Sequence, residues 1–451
     1  MKRISRRGLL ASGAAAGILA AGGLAHAGQA ARGGRLRIAL SGAHAADSWD
    51  SRRFHDLFMI AAGQGCVFDC LTEVAADGSL RGELAQSWDV TPDARVWTVT
   101  LRRGVTFHNG KPFTAEDVLA SFALHRTASL AAPLVAPIEE IAALSPHRVR
   151  FTLREGNADF PYILSDYHLV IYPADNLPRA MAQGIGTGLY RVDRFEPGRA
   201  LIARRVDQHY KDGQAGWADR IELHAVADPR AQAAGLIAGR FDAADLVTQS
   251  PDDTVQIAQA QGNRHLAYDL RGLDEDMRTA LRLGVDRAAS AGEGGWIGAD
   301  SPFGPANAYF DPALAPQHDP DRARWHLARS ATPVSVPGLA LALPQAAVAV
   351  PAQRCYGRAT EDWMLSALAA QDRLPQAAQA LQPLARAERD SGRRAALYRD
   401  IQAILATEGN ALVPAFEPYR SAVRRSVGMP AVTGNLYPMD SARFAERWWR
   451  V

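Results

Sequence analysis

Leu101-Arg102-Arg103-Gly104-Val105-Thr106-Phe107-His108-Asn109-Gly110-Lys111-Pro112-Phe113-Thr114-Ala115-Glu116-Asp117-Val118 carries a strand end, a tight turn and a helix start in one short stretch. Just upstream, Trp97, Val99 and Leu101 alternate with Thr98 and Thr100, the period of a half-buried strand. Asn109-Gly110 suits a tight turn, because both residues tolerate positive φ. Thr114 and Asp117 then form a Thr-x-x-Asp cap, and Val118, Leu119 and Phe122 give the following helix an apolar face. Val149, Phe151 and Leu153 alternate as a further strand. The region from Leu84 onward therefore reads as an α+β lobe of its own.

Arg35–Leu40 (RLRIAL) alternates like a first strand, and the loop Ser41 to Asp50 leads to an expected helix over Phe54 to Leu71. A strand followed by a loop that can face a cleft is a common ligand-binding arrangement. After the inserted lobe, Ile185-Gly186-Thr187-Gly188-Leu189-Tyr190 introduces two glycines that fit either a flexible crossover or an ordinary turn. Tyr190 to Arg205 reads as a hairpin turning at Pro197-Gly198. Asp228-Pro229 caps a helix ending at Gly239, and Phe241 to Val247 resumes extended structure. Three later helices are expected: Asp276 to Asp286, one capped by Asp319-Pro320, and one with Leu397, Ile401, Ile404 and Leu405 on one face.

At 451 residues the chain is too long for one growing core, so two or three packed lobes are expected. It is 47% hydrophobic and 22% charged, which fits a globular protein and excludes disordered and fibrous classes. A net charge of +2 argues against nucleic acid as a partner. Ser5-Arg6-Arg7-Gly8-Leu9-Leu10 places paired arginines before an Ala/Gly/Leu run, and Ala25-His26-Ala27 offers small residues around a cleavable bond. This pattern predicts a twin-arginine signal peptide over residues 1–27, with a mature chain beginning near Gly28 in the periplasm. Cys66, Cys70 and Cys355 show no zinc spacing. Cys66 and Cys70, one turn apart on the expected helix, read as small buried residues rather than a disulfide.

Leu84-Ala85-Gln86-Ser87-Trp88 followed by the stretch from Leu101 to Val118 resembles the signature of the periplasmic binding proteins for peptides, opines and nickel. The likeness continues through Ile185 to Tyr190, Asp228 to Asp242, Met277 to Arg287 and Arg393 to Phe416, in the family's order. The resemblance implies an α/β chain with the type II periplasmic binding protein fold, a bilobal hinged cleft with an additional inserted lobe. The first lobe would comprise residues 28–68, 186–271 and 431–451. The second would be 69–185. The third would be 272–430, shortened by tens of residues between Pro337 and Cys355. Function follows as an expectation: an extracytoplasmic substrate-binding protein of an ABC importer, a monomer that captures a peptide-like or opine-like solute by hinge closure and delivers it to permease subunits.

In peptide-binding relatives a Trp-x-x-Asp stretch of the third lobe supplies a carboxylate to the ligand's free amine. The best-matching stretch here runs from Cys355 to Trp363, and Arg358 falls where that Asp would be. A guanidinium there favours a carboxylate or phosphate, so a ligand with an anionic group near Arg358 is expected. A bridge from Arg358 to Glu361 or Asp362 explains the same residues equally well. Asp362, Trp363, Trp49 and Tyr419 complete the candidate ligand contacts; core packing fits Trp49 and Tyr419 at least as well, and for Trp363, which could stack beside Arg358, anchoring its own helix is the favoured role. No catalytic residue, metal ligand or cofactor is expected: Gly-x-Ser-x-Gly, His-Glu-x-x-His and P-loop patterns are absent. A periplasmic hydrolase and a ligand-sensing adaptor on the same fold are the alternatives.

Overall fold

The computed structural model describes residues 30–331 and 360–451, together with the short strands Val334–Ser335, Val348–Ala349 and Ala352–Cys355. The expected leader, Arg358 and most of the stretch between Pro337 and Cys355 lie outside the described residues. The chain divides into two compact units, one of residues 30–260 with 420–451, the other of residues 261–419. It therefore passes from one unit to the other at Ala260–Gln261 and returns at Tyr419–Arg420.

The larger unit is built on the strand Arg35–Leu40. Leu36, Ile38 and Leu40 are fully buried, and the strand pairs in parallel with Arg220–Ala225 on one side and Ala243–Ala244 on the other. The hairpin Tyr190–Glu196 and Ala200–Arg205 extends the sheet through antiparallel pairing with Arg220–Ala225. A second, wholly antiparallel sheet has the order Ala85–Val90, Val96–Leu101, Arg148–Leu153, Ile138–Ser145. The helix Ala115–Leu124 follows Thr114, as its cap predicts, and Phe122 meets Phe151 edge-on at 5.3 Å between ring centroids.

The smaller unit is richer in helices. Glu275–Gly284 packs on Pro320–Arg329, each started by an aspartate whose carboxylate accepts a backbone N–H, from Met277 and Arg322 respectively. Glu361–Ala369, Gln376–Ala387 and Ser391–Glu408 enclose a core of Phe303, Met364, Leu365, Leu374, Tyr398, Ile401 and Leu405.

Two expectations need correction. The helix over Phe54 to Leu71 is shorter, Leu57–Gly63, after a single 3-10 turn at Ser51–Arg53. Gly63 lies against the Phe54 ring, and Gly65 takes a positive φ of 70°, which a continuing helix does not allow. Cys66 and Cys70 consequently sit in irregular backbone, both buried and both free. The strands Val255–Asp269 and Ala415–Arg424 were also unforeseen. Gln259 and Gln261 fall where Val255 and Ile257 call for apolar residues, and the inside-outside pattern of the first becomes regular only near His265.

Candidate ligand-binding elements

The signature stretch folds back on itself. Phe107 N–H donates to Lys111 O and Phe113 N–H to Val105 O, both at 2.9 Å, closing a turn around Asn109-Gly110. Asp117 is fully buried, and its carboxylate accepts from Lys111 Nζ (2.5 Å), Thr114 N (2.8 Å) and Ala174 N (2.7 Å). His108 reaches the two-glycine segment: its Nε2 donates to Gly188 O at 2.9 Å, while its backbone N–H donates to Gly186 O at 2.9 Å. Burial lowers the His108 pKa, so the imidazole acts as a neutral donor. Neither glycine of that segment has a positive φ; an added Cβ at Gly186 would lie 2.2 Å from Val67 O, and at Gly188 2.4 Å from Cys66 O. Close backbone packing, not flexibility, demands glycine there.

The expected ligand contacts fall in different surroundings. Trp49 is buried in the larger unit, its indole 4.6 Å from Phe195 and 6.0 Å from Phe68 between centroids. Its carbonyl accepts the Tyr172 hydroxyl at 2.6 Å, which fixes the loop before Ser51. Asp362 and Trp363 occupy the first turn of Glu361–Ala369, capped by Thr360. The Asp362 carboxylate is buried, accepts Gln382 Nε2 at 2.9 Å and lies 3.8 Å from Arg386. Trp363 is half-buried. Tyr419 is buried at the last position of the smaller unit. Trp49 thus belongs to one unit and Asp362, Trp363 and Tyr419 to the other.

A larger polar constellation went unread in the sequence. Lys211 Nζ, in the larger unit, sits among Glu83 (2.6 Å), Glu446 (2.9 Å) and Glu73 (3.0 Å), with Asp69 at 3.9 Å. Arg443 adds contacts to Glu83 (2.9 Å) and Glu446 (3.0 Å). Asp69 also accepts the Thr187 hydroxyl at 3.0 Å, and His209 Nε2 donates to Thr187 O at 2.9 Å. Asp69, Glu83 and Glu446 converge closely enough to hold a metal ion, but the Lys211 ammonium already stands among them.

Burial works to raise the Asp69 pKa, yet His209, Lys211 and Thr187 outweigh it and hold the carboxylate well below the usual range. Glu73 is lowered to about 2, burial being overcome by Lys211, Arg443 and Arg447. Glu83, at the centre, is raised: burial comes first, and the neighbouring Asp69 and Glu73 charges offset part of what Arg443 and Lys211 supply. The network staples sequence-distant segments together.

Comparison with known proteins places this arrangement. The profile of the bacterial extracellular solute-binding proteins, family 5 (middle region), matches residues 79–340, more than half of the chain. The chain is similar to the nickel-binding periplasmic protein of Escherichia coli strain K12, 26% identical over 291 residues that cover 58% of this chain and 55% of that protein. The match spans about half the length of the curated relatives. Among solved structures, a periplasmic binding protein from A. tumefaciens R10 in complex with agropinic acid superimposes with a TM-score of 0.73, at 18% identity, over 93% of this chain and 99% of the other. A periplasmic binding protein from Helicobacter pylori in complex with the peptide STSA gives 0.72, also at 18% identity and the same coverages. The fold is that of the type II periplasmic binding proteins, and the match of the family profile through the Leu101–Val118 signature shows that the chain belongs to the bacterial extracellular solute-binding proteins of family 5.

Proposed function

We propose that this chain is the extracytoplasmic solute-capturing component of an ABC importer, which binds a peptide-like or opine-like molecule and delivers it to membrane permease subunits. Family membership carries this reading. Its relatives include proteins named for nickel and for di- and tripeptides, and proteins of the same fold have been solved with agropinic acid and with a peptide. No helix among the described residues is long and apolar enough to cross a membrane, which suits a carrier exported behind a twin-arginine leader. The two chain passages, at 260–261 and 419–420, suit hinge motion between the units as the means of capture.

The state of Asp362 supports an anionic ligand group. A carboxylate already bonded to Gln382 and near Arg386 is poorly placed to receive a free amine, and the resemblance to the family sets Arg358 at the amine-binding position. In this reading Arg358 receives the anion and half-buried Trp363 stacks beside it. The burial of Trp49 and Tyr419 suits a supporting role for both. Native mass spectrometry of the protein from its own periplasm, followed by a thermal-shift screen of anionic conjugates and free-amine peptides, tests this. Stabilisation by anionic conjugates that is lost in Arg358→Ala is the expected result. Stabilisation by free-amine peptides alone, unchanged in that variant, overturns the anionic reading. Unchanged X-ray scattering profiles with and without a verified ligand remove hinge closure.

A further inference from the structure

A cluster in the larger unit belongs neither to the signature nor to the Lys211 network. His44, His55 and Asp56 each turn one ligand-competent atom to a common point, all three within 4.8 Å of one another. The two imidazoles are stacked, 5.5 Å between centroids and 8° from parallel. His55 Nδ1 lies 2.8 Å from Arg53 O. A carbonyl only accepts, so Nδ1 carries the proton and Nε2 presents its lone pair, the tautomer that binds metal. The Asp56 side chain is 8% exposed. Its Oδ1 accepts Met59 N at 2.9 Å and caps the helix Leu57–Gly63. Its Oδ2 is buried without a hydrogen-bond partner among the described residues and stands 3.9 Å from His55 Nε2, beyond hydrogen-bond reach.

A buried carboxylate oxygen left without a donor is costly unless it takes up a proton or a cation meets it. Here two imidazoles face it, one of them already oriented by a backbone carbonyl. We infer that His44, His55 and Asp56 form a binding site for a divalent transition-metal ion of the zinc class, which ties the loop after the first strand to the start of the helix Leu57–Gly63. Two imidazole nitrogens and one carboxylate oxygen are the ligand set such ions prefer, water completing the shell. Metal bonds of roughly 2.0–2.1 Å set tetrahedral ligand atoms roughly 3.4 Å apart. Modest rotation of the exposed histidine rings closes the remaining gap. All three residues lie within the larger unit.

The test is calorimetric titration of Zn²⁺ into the full chain purified without a polyhistidine tag, with Co²⁺ absorption as a second readout. Expected are one equivalent of tightly bound Zn²⁺ and a visible Co²⁺ band. Affinity should fall at least ten-fold in both His44→Ala and His55→Ala. Asp56→Asn keeps an oxygen for the Met59 N–H, so the helix cap survives, and it should weaken Zn²⁺ comparably without lowering the metal-free melting temperature. Undiminished binding in the His44→Ala/His55→Ala double variant overturns the site, as does the absence of any Zn²⁺ or Co²⁺ uptake by the unaltered chain.

Discussion

Both units bury charge, and they do so with opposite surpluses. In the larger unit Asp69, Glu73, Glu83 and Glu446 crowd around Lys211 and Arg443. In the smaller unit two guanidiniums, Arg282 and Arg287, share the single carboxylate of Asp300, at 3.6 and 2.9 Å. Terminal nitrogens of both arginines also find backbone carbonyls, while each Nε stays without a hydrogen-bond partner among the described residues: Arg287 donates to Gly298 O (3.1 Å) and Val413 O (3.2 Å), and Arg282 to Thr407 O (2.8 Å) and Gly409 O. Those last carbonyls close the helix Ser391–Glu408, where the backbone dipole favours a cation. A surplus of guanidinium can be spread over carbonyls, which every loop supplies. A surplus of carboxylate depends on a few shared cations, so the larger unit should be the more fragile to loss of one side chain.

Lys211→Met tests that asymmetry most severely. It removes the ammonium within 3.0 Å of three carboxylates, and breaking a buried pair by removing one partner costs about 3–5 kcal/mol. Urea denaturation should show a loss of that size; a loss under about 1 kcal/mol would mean the carboxylates redistribute their protons without penalty. Arg287→Met should cost less, about 3 kcal/mol, because Arg282 and the Val413 N–H remain near Asp300. Its effect should be local. Hydrogen exchange is expected to accelerate within residues 261–419 and to leave the strand Val96–Leu101 protected; uniform acceleration would show that the two units unfold together.

The same contrast explains what the sequence makes legible. The stretch from Leu101 to Val118 folds through contacts only a few residues apart, such as Thr114 with Asp117, so turn and cap chemistry could be read directly. Helices begun by Asp228, Asp319 and Thr114 were legible for the same reason. Glu83 and Arg443 are 360 positions apart, and no local period announces that they meet. His44 and His55 are joined by irregular backbone rather than one helix, so their approach leaves no fixed spacing to find. Trp49 does follow the first strand as expected, but which way an indole turns out of a loop depends on Phe68 and Phe195, which only the folded chain brings to it.

Acid should erode both units through buried histidines, His265 and His125 above all. Burial pushes His265, in the smaller unit, down to about 4, and His125, in the larger, also to about 4, the latter helped by nearby His168. The folded pKa lies below the unfolded value of about 6.5, so the stabilising contribution is complete above pH 6.5 and is lost as the pH falls toward 4. Each histidine accounts for about 2 kcal/mol between pH 6.5 and 4.5 by this linkage. Glu73, lowered to about 2, adds a loss only below about pH 4.5, while raised Glu83 opposes it. Denaturant titrations at pH 7 and 4.5 should show His265→Asn flattening the dependence for residues 261–419 alone. An unaltered acid slope in that variant would place the proton uptake elsewhere.

The smallest expected effect bears on whether the family signature is scaffold or site. Thr114 donates its N–H to Asp117 at 2.8 Å and its hydroxyl, the group an alanine lacks, at 3.3 Å, and Asp117 gathers Lys111 and Ala174 around the same carboxylate. All four residues lie within the larger unit, and Asp117 has no exposed surface from which to meet a solute. Thr114→Ala should therefore cost about 1 kcal/mol, the usual worth of a cap, and leave the affinity for a verified solute unchanged. A variant of normal stability with weakened solute binding would move the signature from framework to ligand contact. The contrast between the units would then rest on function as well as on charge.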